Sequence, residues 1–212
     1  MFAATPRALR DHEAVRERHS LLLHDPKIQP LRAWAADLSR RRFLSAGPTL
    51  VPHFDPAEAG VEARILILLE APGPMTNSQN KRPGSGFISV DNNDKTAENC
   101  WNYRQEVGLH TGVLHWNIVP WYLGPASRKP NSSELAEGAS ETLSLLDLLP
   151  DLRVVLACGR FAQRGWERHI SAQVRPNLTV IYTWHPSPLA LNSSFRRQEF
   201  REALRRAASV AY

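Results

Sequence analysis

The most constraining stretch of the chain is Ile65-Leu66-Ile67-Leu68-Leu69, which runs directly into Glu70-Ala71-Pro72-Gly73. A short, unbroken apolar run closed by a Pro/Gly turn is the pattern of a strand buried on both faces. It is too short to cross a membrane. Such a strand needs a covering layer on each side, and the rest of the sequence supplies one. From residue 63 onward, strand patterns alternate with helical ones. Strands are expected at Arg64 to Leu69, Gly112 to Val119, Arg153 to Cys158 and Leu178 to Thr183. Helices are expected at Asp94 to Val107, Asn131 to Leu149, Phe161 to Ile170 and Ser194 to Ala208. Asn131 followed by Glu134 has the spacing of a capping box. The expected fold is therefore α/β, a three-layer α/β/α sandwich around a four-stranded, mostly parallel sheet.

Residues 1–45 read as two helical pieces, around 8–23 and 29–43, broken at Asp25-Pro26. Residues 46–62, with Gly47-Pro48, Pro52, Pro56 and Gly60, read as a loop-rich approach to the core. A length of 212 residues suits a single domain, with residues 1–60 packed on it as a helical extension. The N-terminus lacks the apolar stretch of a secretory signal, so a cytoplasmic protein is expected. A monomer is expected as well. The net charge of +5 favours a polyanionic partner. The positive charge is clustered at Arg40-Arg41-Arg42, Lys81-Arg82, Arg128-Lys129 and along the C-terminal segment from Arg196 to Arg206. The C-terminal group reads as a solvated helix face.

In a parallel α/β sheet, ligands bind beyond the carboxyl ends of the strands. Three unusual polar features fall there. His185 lies in Trp184-His185-Pro186-Ser187-Pro188-Leu189, after the last strand. Its imidazole could donate to a developing oxyanion, or simply bond a loop carbonyl. Ser187, between two prolines, could grip a phosphate, and Leu189 at the loop tip could wedge into a base stack. Glu70 ends the apolar strand and could polarise a water or stabilise a cationic sugar; equally, it could cap a helix or pair with an arginine. Asn117 sits in an apolar strand and must find partners, either main chain or the O4 and N3–H edge of a uracil. Phe87, after Gly84-Ser85-Gly86, could stack on a base or pack in the core.

Taken together, these segments resemble the uracil-DNA glycosylase superfamily from about residue 62 to the C-terminus. His185-Pro186-Ser187-Pro188-Leu189 is similar to the second signature of that superfamily, and Glu70-Ala71-Pro72-Gly73 is nearest to the GEAPG motif of its iron–sulfur branch. The resemblance implies roles. Glu70 would position water or stabilise an oxocarbenium-like sugar, and His185 would stabilise the departing uracil anion at O2. Asn117 would read the base, Phe87 would stack on it, and Ala71, Pro72 and Gly73 would line its pocket. Ser187, Pro188, Leu189, Arg128 and Lys129 would contact DNA, with Leu189 filling the gap left by the flipped nucleotide. The implied partner is uracil-containing DNA, single- or double-stranded, and the product an abasic site.

The departures from the family pattern matter as much. The chain has two cysteines, Cys100 and Cys158, and a four-thiolate cluster needs four. A metal-free reaction with no cofactor is expected. Leu69 replaces the usual leading glycine of the first signature. Ala71 stands where the commonest relatives have a water-activating aspartate, and Gly73 where they have the tyrosine that blocks thymine. The loop Met75 to Gly86 holds no histidine, unlike members that trap the sugar covalently. The alternative is a non-catalytic module that binds uracil or abasic DNA on the same fold.

Overall fold

The structure, a computed structural model, describes residues 2–78, 83–124 and 128–212. The core is a sheet of four strands, β2 (Ile65–Leu69), β4 (Val113–Asn117), β5 (Val154–Cys158) and β6 (Thr179–Thr183), all parallel, in the order β4-β2-β5-β6. Strand alternation sends Leu66 and Leu68 into one apolar layer and Ile65 and Ile67 into the other. The first layer is covered by α4 (Ser132–Leu146) and α5 (Arg160–His169), and the second by α3 (Lys95–Glu106) and α6 (Ser194–Ala211). The sandwich expected from the alternating pattern is the observed architecture.

Helix boundaries follow local chemistry. Asn131 and Glu134 form the capping box of α4, with the Asn131 side chain accepting from the Glu134 N–H at 2.9 Å. Asp94 caps α3 and Ser193 caps α6 through their side-chain oxygens. In the N-terminal region, α1 (His12–His24) starts at the Asp11 cap, and α2 (Gln29–Ala46) begins with Pro30 in its first turn. Leu31, Ala35 and Leu38 of α2 enlarge the first apolar layer, where Phe54 stacks on Trp116 with ring centroids 3.7 Å apart. Within the expected loop 46–62 lies a two-residue strand, β1 (His53–Phe54), paired in parallel with β3 (Phe87–Ile88). Strands this short carry no readable period.

The chain leaves β2 through α3 to β4 on one side, then crosses through α4 to β5 on the other. The reversal puts the topological switch point between β2 and β5, so a crevice opens at their carboxyl ends.

Candidate active site

At that crevice lies a cavity of about 660 Å³, within the range of sites that take small ligands. Each strand of the sheet contributes to its wall. Asn117 ends β4, Glu70 follows β2, Gly159 follows β5, and His185 follows β6 by two residues. Of the residues singled out in the sequence, Glu70, Ala71, Pro72, Gly73, Asn117, Arg128, Lys129, His185, Ser187 and Leu189 line this cavity.

His185 is the most tightly held of them. The backbone N–H of Ser187 points at its Nδ1, 3.2 Å away. Nδ1 is therefore an acceptor, which leaves the ring proton of the neutral imidazole on Nε2. Burial, with the charge of Lys129 adding to it, pushes the imidazole down to about 4, so it is neutral at physiological pH. Its backbone is pressed against Gly159, where an added Cβ would lie 2.8 Å from the Cβ of His185. Gly159 also has φ +83°, a second reason for glycine there. The loop beyond is clamped twice. Asn99 of α3 donates to the Pro186 carbonyl at 2.7 Å, and the Ser187 carbonyl accepts from the N–H groups of Ala190 and Leu191. Leu189 is held at the mouth of the cavity with 83% of its surface exposed.

Glu70 is held differently. Its carboxylate accepts from Lys129 Nζ at 2.9 and 3.0 Å, and the Lys129 side chain is 65% exposed. An ion pair so open to water is worth little to stability and is easily exchanged for another anion. The N–H groups of Ile118 and Val119 donate to the carbonyls of Leu69 and Glu70, which carries the β2–β4 ladder past the strand ends and sets Glu70 beside Asn117. Asn117 is 3% exposed, and among the described residues none bonds its side-chain amide. A mostly buried amide on the wall of a cavity can offer a donor and an acceptor to a polar ligand.

Phe87 is a correction. It has no exposed surface and packs on His19, ring centroids 4.6 Å apart, within the first apolar layer. Neighbouring strand residues point to opposite sides, and it is Ile88 that lines the cavity. Pro188 is exposed but stands off the cavity wall. The basic clusters are mostly engaged within the chain. Arg41 binds Asp37 and Glu141, Arg42 binds Glu137, Arg128 binds Glu134, and Arg201 binds Glu106. Lys81-Arg82 lies outside the described residues. Arg160, the first residue of α5, lines the cavity and has no acidic partner among the described residues. It is a cation at the mouth that the sequence reading passed over.

Two further groups on the wall were also missed. Gly159 could have been noticed as a glycine directly between a strand and a helix, where ligands approach the backbone. His115 could have been noticed as a histidine two residues before Asn117 in an apolar strand. Its Nδ1 lies 2.6 Å from Glu58, which is also bound by Arg104, and all three side chains are buried. Burial pushes the Glu58 carboxyl up, but His115 and Arg104 outweigh it and hold it below its ordinary value.

The thiols do not fit a cluster. Cys100 and Cys158 are both buried, burial raises both, and they are the chain's only cysteines. No step can be assigned to an iron–sulfur group here.

A parallel sheet with an amide, an imidazole and a carboxylate around one switch-point cavity defines an α/β protein with a site suited to a small polar ligand. Residues 56–208 match the model of the uracil DNA glycosylase superfamily, and the chain belongs to that superfamily. Membership supports a DNA glycosylase, a hydrolase of DNA repair. No curated protein matches the chain in sequence. The crystal structure of mimivirus uracil-DNA glycosylase is similar over 89% of this chain and 78% of that chain, at 18% identity and a TM-score of 0.44.

Proposed function

We propose that the chain is a monofunctional glycosylase that removes uracil from DNA and leaves an abasic site. The observation that carries the reading is the Ser187 N–H donating to His185 Nδ1, which leaves the proton of a neutral ring on Nε2, unpaired among the described residues, while burial holds the imidazole well below its ordinary value. A preorganised neutral donor suits an anion that develops during bond breaking. The target nucleotide flips into the cavity, and Leu189 fills the gap it leaves. The N-glycosidic bond breaks with its electron pair passing to the base, and His185 Nε2–H stabilises the negative charge at O2. Glu70 stabilises the cationic sugar and orients the water that adds to C1′; the water's proton passes to solvent, and the uracil anion is protonated after release. Asn117 reads the base, and Ser187, Arg128, Lys129 and Arg160 contact phosphates. In motif the chain stands nearest the GEAPG branch, with hydrophobic packing in place of its cluster. The protein acts alone, as a cytoplasmic monomer.

One observation favours a second reading. The Glu70 carboxylate is already occupied by Lys129, as it would be in a module that binds uracil or abasic DNA without cutting. Incubation with a uracil-containing oligonucleotide followed by alkaline cleavage separates the two, with thymine, hypoxanthine and xanthine oligonucleotides as controls. Strand cleavage at uracil is expected. Tight binding without cleavage of any of them would establish the binding module instead.

A further inference from the structure

His115 is 2% exposed and lines the same cavity as Asn117. The two share a face of β4, two residues apart, so His115 lies roughly 7 Å deeper. Trp116 between them turns into the opposite layer. The ring of His115 is fixed by Glu58. One carboxylate oxygen accepts from the His115 backbone N–H at 2.7 Å, and the other lies 2.6 Å from Nδ1. Arg104 Nη1, 3.1 Å from that second oxygen, supplies the balancing charge. A carboxylate can only accept, so Nδ1 carries the proton. In the neutral ring that tautomer makes Nε2 a lone-pair acceptor. Among the described residues it has no partner. A buried acceptor left unpaired beside a cavity costs free energy unless a ligand bonds it.

Resting on the base-excision reading above, we infer that His115 is a second base-reading residue, whose Nε2 accepts the ring N–H of a lactam base while the Asn117 amide donates to the neighbouring carbonyl. Glu58 is a positioning residue that holds the tautomer. The matching class is the lactam bases, thymine and guanine included, so this contact separates the deaminated bases from cytosine and adenine, their parents of opposite pattern. Uracil, hypoxanthine and xanthine each present N–H beside C=O. Cytosine and adenine present an unprotonated ring nitrogen there, which would face the Nε2 lone pair. A site built to bond an N–H rejects an analogue that lacks it more sharply than an apolar pocket could.

The test uses the ring ¹⁵N signals of His115 in the full chain, titrated with free uracil and with 3-methyluracil, which lacks the N3 proton. Uracil should shift Nε2 and leave it an acceptor, and 3-methyluracil should not. A response to neither compound, or an equal response to both, would overturn the assignment. In parallel, single-turnover excision is followed for His115→Leu and His115→Gln. His115→Leu should slow uracil excision about ten-fold or more, the cost of one buried hydrogen bond. Binding to an abasic-site oligonucleotide should be unchanged, and His115→Gln, whose carbonyl can accept, should recover part of the rate. A folded His115→Leu protein with the wild-type rate would also overturn the assignment. A wild-type protein that excises nothing yet shows the uracil-specific shift would refute the glycosylase reading and leave the role of His115 standing.

Discussion

The two ends of the cavity are built to different standards. The His185 end is overdetermined. Two prolines, the Ser187 N–H, the Asn99 clamp and the closeness of Gly159 all hold one imidazole in one tautomer. The Glu70 end is held by one exposed lysine, and the turn after it contains Gly73, where no described residue lies within 4 Å of an added Cβ. The contrast suggests a division of labour. Charge on the departing base needs a rigid donor, because preorganisation is what makes such a donor effective. The sugar and water side, which must admit and release DNA, can be looser. Perturbing each end shows whether the contrast is real.

The largest loss is expected at the rigid end. Gly159→Ala forces a side chain into a backbone with φ +83° and sets its Cβ 2.8 Å from that of His185. It should imitate His185→Ala, each slowing single-turnover uracil excision roughly 100- to 1000-fold, as removal of one oxyanion donor does. Abasic DNA binding serves as the control for folding. Full activity in Gly159→Ala would mean that His185 is not positioned by this contact.

At the looser end the effects separate. Glu70→Gln removes the charge opposite the cationic sugar and should cost roughly 100-fold in the chemical step. Lys129→Ala should leave the fold intact, since an exposed pair contributes less than about 1 kcal/mol. It should weaken DNA binding and reduce the salt dependence by about one counterion. Fluorescence anisotropy across a salt series reads both. An unchanged salt slope would place Lys129 off the phosphate path.

The same lysine links the two ends electrostatically. His185 is held down to about 4 first by burial and second by Lys129. Its ring ¹⁵N signals should therefore report an Nε2–H imidazole, with no titration near the ordinary 6.5. In Lys129→Ala the midpoint should rise. Because the unfolded chain binds this proton more readily than the folded one, His185 lowers stability as pH falls from about 6.5 to about 4 and has no such effect above that window. A urea-midpoint series across that range measures it. An imidazole titrating near 6.5 would remove the neutral donor on which the proposed mechanism depends.

Much of this was legible in the sequence because it is periodic or stiff. The run 65–69, the capping box at Asn131 and the proline-locked His185 loop each carry their own local signal. What could not be read is relational. Phe87 and Ile88 are adjacent, and only the register of β3 against β1 decides which faces the cavity. The clamp of Asn99 on Pro186 joins residues far apart in sequence. Nor does composition reveal that most arginines in the basic clusters are spent on internal carboxylates. Leu189 is the instructive middle case. Its exposure could be guessed from the loop, but its place at the cavity mouth required β6 and the switch point to be set in space.

The smallest expected change in uracil rate belongs to Gly73, and it sharpens the comparison most. Its backbone is extended, with φ −87° and ψ 175°, a conformation open to any residue. It lines the cavity, and among the described residues nothing lies within 4 Å of a Cβ added there. The glycine therefore serves the cavity rather than the turn. A tyrosine there would narrow the pocket at the loose end and leave His185 and Asn117 untouched. Gly73→Tyr should alter uracil excision only a few-fold, on the order of one lost or gained apolar contact. It should suppress release of larger bases, such as hypoxanthine or 5-substituted uracils, far more. Competition between uracil and hypoxanthine oligonucleotides in one reaction gives the ratio directly. If Gly73→Tyr leaves that ratio unchanged, the open end of the cavity does not set the range of bases, and discrimination must lie with the buried strand β4.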